Sequence, residues 1–290
     1  MPELPEVEGV VRALAPIAIG RTIQNVTVSD TVIKSKQLGK EAVIKGITTE
    51  DFIVDMAGMT IENVTRRSKY IYFHLMKDGN TCLLVSHLGM TGAWFTVDSV
   101  DDITEMKFRN HVHVVFTLEG GGLLVYSDIR RFGELRLLGC EADHPPLLKM
   151  APEPFATGAR KHFLEFAAMP KYARKPIKEV IMDGHVLSGC GNIYATEAIY
   201  KMKIHPERNT ERISLKRKNE LFDVIVAILQ ESIDAGGSSI SDYRNINGEA
   251  GTMQDRLKMY GRKFCPACGS ATESMKIAGR TSVYCPTCQK

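Results

Sequence analysis

Apolar and polar residues along the chain follow first a helical period and then a strand-like one. Apolar residues recur every three to four positions from 5 to 15, as Val7, Val10 and Leu14, which predicts an amphipathic helix that ends at Pro16. Short β-type runs separated by Gly-rich turns follow and predict a sandwich or barrel. The predicted strands span residues 22–28, 70–75, 81–87, 111–118, 122–127 and 134–138.

The helical period returns in the second half of the chain. Prolines crowd residues 144–158, which excludes a regular helix or central strand there and predicts a linker. Residues 193–202 and 214–235 are then helical in pattern, and the glycines at 236 and 237 end the longer helix. Residues 236–255 are rich in Gly, Ser, Asn and Asp, which is typical of a functional or mobile loop.

Composition places the chain among globular proteins without membrane spans. Of its 290 residues, 44% are hydrophobic and 24% charged, and no run reaches the roughly 18 apolar residues of a membrane span. The acidic start shows no signal sequence, so we expect a cytoplasmic protein. The net charge is only +3, but residues 160–178 and 262–290 are locally basic. Each basic segment indicates either a phosphate-facing surface or an ordinary solvated face.

Four of the seven cysteines form the strongest local motif. Two C-x2-C pairs are separated by sixteen residues, a spacing typical of a structural zinc site with no open coordination position: Cys265, Cys268, Cys285 and Cys288. Iron also suits four thiolates, and disulfides are a further alternative that the missing signal sequence disfavours. A Gly-containing turn between the pairs places Arg280 at the tip of a hairpin, where it is a candidate phosphate contact.

The N-terminus allows two interpretations. If Met1 is removed, Pro2 presents a secondary amine beside the carboxylate of Glu3, and such an amine forms a cationic imine with a carbonyl-type carbon. Alternatively, the prolines and glutamates only begin a helix, with Pro5 near its first position and Glu6 in its first turn.

Four further clusters contain candidate binding residues. Lys69 precedes a strand, Met90 lies between glycines, Arg130 and Phe132 share one turn, and Asn192 precedes a helix whose N-terminus suits a phosphate. Taken singly, these residues are also typical of a basic strand edge, a packed hairpin methionine, an ordinary turn and a helix cap.

Taken together, the motifs resemble those of the formamidopyrimidine-DNA glycosylases, base-excision repair enzymes of a wider group that includes endonuclease VIII. The resemblance covers nearly the whole chain and lies in residues 2–8, 66–70, 87–90, 128–133 and 191–195 and in the cysteine pairs. It implies a multidomain α+β fold with an N-terminal helix plus β-sandwich, a helix-two-turn-helix domain and a C-terminal zinc hairpin that holds one structural zinc ion.

The resemblance also implies domain boundaries and partners. We expect a catalytic domain at 1–143, a linker at 144–158, a helix-two-turn-helix domain at 159–261 with a lesion-capping loop at 236–254, and a zinc finger at 262–290. Double-stranded DNA with oxidised bases or abasic sites would lie between the two halves. The protein would act as a monomer that does not bind membranes and is associated with the bacterial nucleoid.

The implied reaction is removal of oxidised purines followed by cleavage of the abasic site. By resemblance, Pro2 attacks C1′ of the damaged nucleotide and Glu3 is the acid/base, while Glu6 supports the site. Lys69 contacts the lesion strand and assists catalysis. Arg280 binds phosphate and promotes δ-elimination.

The remaining matched residues bind DNA. Met90, Arg130 and Phe132 match residues that fill the void and contact the opposite base once the lesion is extruded. His111 matches a DNA-contacting histidine, and Asn192 an asparagine that binds phosphate beside the lesion. Two alternatives stay open: an endonuclease VIII-type enzyme for oxidised pyrimidines, and a non-catalytic protein that binds damaged DNA on the same scaffold.

Overall fold

The computed structural model describes residues 2–40, 43–238 and 251–290, and the chain divides into two units. Unit 1 comprises Met1–Leu148 and Gly236–Gly251, and unit 2 comprises Lys149–Ala235 and Thr252–Lys290. Of the predicted capping loop, residues 239–250 lie outside the described residues. No α-helix of the described part combines the length and the hydropathy that a bilayer span requires.

Unit 1 consists of one long helix, two sheets and short helices. Its elements are α1 (Leu4–Ala18), β1 (Ile23–Val28), α2 (Asp30–Gln37), β2 (Val43–Ile44), α3 (Thr49–Met56), β3 (Thr60–Arg67), β4 (Tyr70–Lys77), β5 (Asn80–His87), β6 (Gly92–Val97), α4 (Met106–Arg109), β7 (Val112–Leu118), β8 (Leu123–Asp128), β9 (Glu134–Leu138) and α5 (Pro145–Leu148). Single 3-10 turns lie at Val100–Asp102 and Glu141–Asp143.

The two sheets form the β-sandwich that the sequence predicts. One sheet has the order β1-β7-β8-β6 and the other β2-β9-β5-β4-β3, and all neighbours are antiparallel except β2 and β9. The core between them is aromatic: the Trp94 ring lies 5.0 Å from Phe73 in the opposite sheet and 5.2 Å from Tyr126 in its own. Trp94 Nε1 also donates to Ser86 Oγ at 3.1 Å, which joins the sheets by a buried hydrogen bond.

Helix α1 covers the same core with the apolar face that the periodicity predicts, since Val7, Val10 and Leu14 are all buried. The predicted end at Pro16 is wrong, because the helix continues to Ala18 with Pro16 inside its last turn. A proline there removes a single N–H donor, and the Ile19 amide still closes the turn on Ala15 O at 3.1 Å.

A second correction concerns the proline-rich stretch, in which α5 forms one helical turn. Pro145 and Pro146 occupy its first two positions, where a backbone N–H has no intrahelical acceptor to lose. The exclusion of regular helix from residues 144–158 is therefore wrong for these four residues.

Unit 2 packs helices and one hairpin around its own core. Its elements are α6 (Ala159–Ala167), α7 (Pro170–Ala173), α8 (Ile177–Met182), α9 (Asn192–Lys201), a 3-10 turn (Thr210–Arg212), α10 (Leu215–Asp234), α11 (Met253–Arg256), β10 (Glu273–Ile277) and β11 (Arg280–Tyr284). Helices α9 and α10 pack together, and the buried Tyr194 hydroxyl on α9 shares a hydrogen bond of 2.6 Å with Ser232 Oγ on α10. The fold is thus the predicted multidomain α+β architecture, with the helix-two-turn-helix domain and the cysteine hairpin in unit 2.

Candidate active site and zinc centre

Three turns of unit 1 emerge at one end of its five-stranded sheet. Tyr70 at the start of β4 pairs with His87 at the end of β5, and His87 pairs with Glu134 at the start of β9. The turns at 68–69, 88–91 and 129–133 adjoin these paired residues. The register therefore gathers the candidates Lys69, Met90, Arg130 and Phe132, which lie far apart in sequence.

Glycines allow the second and third of these turns to touch. A Cβ on Gly89 would lie 2.5 Å from the backbone of residue 132, and one on Gly133 would lie 2.0 Å from Tyr126 Oη. A Cβ on Gly92 would meet the same hydroxyl at 2.6 Å. The backbones thus approach where no side chain fits, which brings the turns of Met90 and Phe132 into contact.

The tip of the third turn projects into solvent. The Phe132 side chain is 60% exposed, and the Arg130 guanidinium lies 4.7 Å from the centre of its ring. Between them Arg131 adopts a left-handed φ of 55°, which tightens the turn. An exposed aromatic ring beside a cation is suited to insertion between bases. We call Met90, Arg130 and Phe132 the wedge.

His111 lies beside the base of the wedge. Its carbonyl accepts the Asp128 amide at 3.0 Å, and the Ser127 hydroxyl donates to the same carbonyl at 2.9 Å. Its ring Nδ1 contacts Lys107 O at 2.6 Å. The structure therefore places this predicted DNA-contacting residue at the wedge end of unit 1.

At the N-terminus, Pro2 and Glu3 are buried where α1 begins. Glu3 is the N-cap, and its amide donates to Glu6 Oε2 at 2.8 Å in a capping box. The other oxygen of Glu6 accepts the Ser238 amide at 2.7 Å, directly before the residues outside the described range. One buried carboxylate thus connects the helix that carries Pro2 to the start of the predicted capping loop.

Lys69 is placed by an ion pair that the sequence did not reveal. Arg66 Nε donates to Glu8 Oε2 on α1 at 2.8 Å, and its Nη1 donates to Ser68 O at 3.0 Å. Burial raises the pKa of Glu8, but the hydrogen bonds from Arg66 and Arg12 outweigh it and lower the pKa overall. Arg66 therefore connects the Lys69 turn to the second turn of α1, close to Pro2 in sequence.

His87 is a further residue that sequence reasoning did not single out. Its Nδ1 accepts the Gly89 amide at 3.2 Å, and its ring centre lies 4.7 Å from that of Tyr70, with the two rings tilted by 45°. Burial lowers the pKa of His87 to about 4, and the charge of Lys69 acts in the same direction while Glu134 opposes it. His87 is therefore a neutral acceptor at the start of the Met90 turn.

In unit 2 the structure brings Asn192 and Arg280 together. Asn192 is the first residue of α9, after Gly191 as the N-cap, and its Nδ2 donates to Thr281 O at 3.0 Å. Arg280 precedes that threonine and is exposed, directly after a two-residue turn in which Ala278 and Gly279 have positive φ. A helix N-terminus and an exposed guanidinium one residue from the Asn192 contact suit an anion.

The basic segment 160–178 does not form one phosphate-facing surface. Lys178 is fully buried, and its Nζ donates to Thr196 Oγ1 at 2.8 Å and to Ser282 Oγ at 2.7 Å. It therefore joins α9 to β11 from inside unit 2. Lys175 pairs with Glu179 at 2.6 Å.

The four cysteines of the hairpin fit a zinc ion. Their Sγ atoms all lie within 4.8 Å of one another, with 3.9 Å between Cys265 and Cys288 and 3.5 Å between Cys268 and Cys285. Tetrahedral zinc with Zn–S bonds of about 2.3 Å needs sulfurs roughly 3.8 Å apart. Four thiolates leave no open position, so the ion is structural and has no part in the reaction.

Neighbouring groups favour the thiolate form of one of these cysteines, Cys265. Burial raises the pKa of Cys265, but hydrogen bonds from Tyr200 Oη at 3.3 Å and from the amides of Ala267 and Cys268 outweigh it and lower the pKa to about 6. Glu197, one helical turn before Tyr200, accepts three amides of residues 258–260, the segment that leads into the hairpin.

Comparison with known families agrees with this architecture. Family models match in three consecutive parts: the formamidopyrimidine-DNA glycosylase N-terminal domain at residues 1–135, its H2TH domain at 150–244, and the zinc finger found in FPG and IleRS at 262–290. This order of domains defines the class of zinc-finger DNA glycosylases with a helix-two-turn-helix module.

Individual relatives match over the full length. Formamidopyrimidine-DNA glycosylases from Exiguobacterium sp. and Shouchella clausii are 36% and 38% identical, and each comparison covers 100% of this chain and at least 99% of the relative. The fold superposes on Lactococcus lactis Fpg in complex with DNA containing an abasic site, with TM-score 0.82, 32% identity and 99% of both chains covered. MutM (Fpg) from Thermus thermophilus gives TM-score 0.81 and 33% identity over 99% of this chain and 98% of that one. The chain belongs to the formamidopyrimidine-DNA glycosylase family.

Proposed function

We propose that this protein is a bifunctional DNA glycosylase and AP lyase that removes oxidised purines, 8-oxoguanine and formamidopyrimidines, from double-stranded DNA. One observation carries the proposal: the sheet register places Lys69 and the wedge at one end of unit 1, and the Glu8–Arg66 pair connects the Lys69 turn to the helix that begins behind Pro2. A related Lactococcus lactis Fpg variant is known in complex with DNA containing Fapy-dG, which supports the substrate class.

The reaction begins at Pro2 after removal of Met1. The lone pair of the proline nitrogen attacks C1′ of the extruded nucleotide, the bond between C1′ and the base breaks, and the base leaves with the bonding electrons and takes up a proton. The proline nitrogen loses its proton. Glu3, which lies beside Pro2, then protonates O4′ as the bond between C1′ and O4′ breaks and the nitrogen lone pair forms the C=N bond. The product is a cationic imine between the protein and C1′.

Strand cleavage follows from that imine. Because it is an electron sink, loss of a proton from C2′ expels the 3′ phosphate, and a second elimination expels the 5′ phosphate. We assign Lys69 to the lesion strand and Arg280 to the phosphate that leaves in the second step. Hydrolysis of the imine then returns Pro2 to its amine form.

The DNA-binding residues have separate tasks in this proposal. The wedge of Met90, Arg130 and Phe132 fills the void of the extruded nucleotide, and His111 contacts the DNA beside it. Asn192 binds a phosphate at the N-terminus of α9. We retain the proposed domains at 1–143, 159–261 and 262–290, the linker at 144–158, and a monomer that acts on the bacterial nucleoid in the cytoplasm.

Borohydride trapping tests the chemistry. The protein, with Met1 removal confirmed by mass spectrometry, is incubated with a duplex containing 8-oxoguanine opposite cytosine, and borohydride reduces any imine to a stable adduct. We expect one adduct per protein, with the modified residue identified as Pro2 by peptide mapping. Pro2→Gly retains DNA binding and loses most of the adduct.

The same assay separates the alternatives. Absence of any adduct despite tight binding to the lesion duplex would identify a non-catalytic binding protein and refute the proposal. Faster trapping on a duplex with an oxidised pyrimidine than on the 8-oxoguanine duplex would refute the purine preference and favour the endonuclease VIII type. A Lactococcus lactis Fpg is known in complex with DNA containing an oxidised pyrimidine, so both lesions belong in the substrate panel.

A further inference from the structure

A buried carboxylate lies under the wedge and organises both turns that carry it. Asp128 is 0% exposed, and its Oδ2 accepts the Gly133 amide at 2.7 Å at the far end of the third turn. Its Oδ1 accepts the Arg130 amide at 3.2 Å near the beginning of the same turn. A single side chain thus closes the loop from 128 to 133 from the inside.

The same carboxylate reaches the turn of Met90. The Thr91 hydroxyl donates to Asp128 Oδ1 at 2.6 Å, and its oxygen accepts the Arg130 amide at 2.9 Å. Thr91 directly follows Met90 and is buried. The two side chains therefore connect one wedge residue to the backbone of another.

The backbone around this pair is also held in place. His113 Nε2 contacts the Asp128 carbonyl at 3.0 Å, and the Asp128 amide donates to His111 O at 3.0 Å. The carboxylate, amide and carbonyl of Asp128 are all hydrogen-bonded within unit 1. Hydrogen bonds to a buried ionised group are strong and directional, so they define the positions of the attached turns more closely than apolar packing does.

We propose that Thr91 and Asp128 form a positioning pair for the wedge, which they hold in the geometry that replaces an extruded base in the stack. The inference depends on the proposed function. Neither residue touches the reacting atoms in this proposal, since both are buried beneath the exposed tips. Their contribution is to extrusion: a wedge that is already ordered loses less conformational entropy when it enters the base stack.

Two substrates that contain the same lesion, once paired and once unpaired, test this role. Single-turnover excision is measured on 8-oxoguanine paired with cytosine and on 8-oxoguanine in a short mismatched bubble, where pairing and stacking are already lost. We expect Thr91→Val to lower the rate on the paired lesion about tenfold, which corresponds to loss of one charge-assisted hydrogen bond. The rate on the bubble should change less than about twofold, and Thr91→Ser should restore the paired rate because the hydroxyl remains.

Matched variants complete the experiment. Asp128→Asn should act in the same direction and more strongly, while Thr96→Val on β6, the strand that follows Thr91, should leave both rates unchanged. Trp94 fluorescence verifies that unit 1 of each variant is folded. If Asp128→Asn does not fold, Thr91→Val tests the role alone, because it retains both amide hydrogen bonds to Asp128. Equal losses on both substrates, or no loss on the paired lesion, would overturn the positioning role. Wild-type protein that is inactive on both would refute the proposed function itself.

Discussion

Glu197 offers a quantitative test of how the zinc hairpin is attached to unit 2. Its carboxylate is 6% exposed and accepts three consecutive amides, from Lys258 at 2.7 Å, Met259 at 2.8 Å and Tyr260 at 2.7 Å. Met259 in turn packs against the zinc ligands Cys265 and Cys285. We expect Glu197→Gln to loosen this segment while preserving the shape of the side chain.

The magnitude follows from the three hydrogen bonds. The glutamine oxygen can still accept the two amides that now share Oε1, but with no charge to strengthen them. The amide nitrogen would face the Lys258 N–H donor, so that bond is lost. The loss of one charge-assisted hydrogen bond and the weakening of two others should lower the free energy of unfolding by about 3 kcal/mol.

Two signals follow the two units separately. Guanidinium unfolding is monitored by chelator-detected zinc release for unit 2, and by fluorescence of Trp94, the single tryptophan, for unit 1. Glu197→Gln should shift the unfolding of unit 2 to a lower guanidinium concentration and accelerate zinc release. The midpoint of the Trp94 transition should not change. Glu220→Gln, at an exposed position of α10, is the matched control. A Glu197→Gln variant within about 0.5 kcal/mol of wild type would refute the anchoring role.

Three further predictions concern the turns and the hairpin. Gly133→Ala should destabilise unit 1 by about 3 kcal/mol in denaturant unfolding because its Cβ would lie 2.0 Å from a buried tyrosine hydroxyl, whereas Gly184→Ala, with nothing within 4 Å, should change stability by less than about 1 kcal/mol. The pKa of His87 is about 4 in the folded protein against 6.5 otherwise, so its contribution to stability is complete above pH 6.5 and is lost as the pH falls towards 4. The free energy of unfolding should be lower at pH 4 than at pH 6.5 by at most about 3 kcal/mol, and His87→Gln should abolish this difference. An unchanged difference in that variant would contradict the prediction. Arg280→Ala should accumulate the β-elimination product on gels, with Lys276→Ala as the control; complete δ-elimination by Arg280→Ala would exclude its assigned role.

The sequence predicted elements whose periodicity is local. Helix α1, the strands around the aromatic core and the end of α10 before Gly236 all follow from spacing and turn residues, and the structure confirms them within a few residues. Strand β3 was missed because polar residues and a bulge near Asn63 break its alternation. Strand β6 was missed because it is buried on both faces and has no alternation to detect.

The candidate site likewise contains residues that a local motif identifies and residues that no local motif identifies. Residues such as Lys69, Asn192 and the cysteines are recognisable because motifs place them in short segments. Their supports are distant in the chain: Arg66 pairs with a residue on α1, and Asp128 bonds to Thr91, 37 positions away. Such contacts depend on the register between strands, which no local pattern specifies.

The glycines at 89, 92 and 133 have a consequence for how the wedge can change over evolution. Each lies where any side chain would collide with backbone or with the Tyr126 hydroxyl, whereas the tip at Phe132 is 60% exposed and meets no such restriction. The tolerance of the fold to substitution should therefore change over a single residue, since the fold permits other side chains at 132 but none at Gly133. In the proposed function, exchange of the residues at the tip would change which opposite base is accepted, while the glycines beneath the tip stay the same.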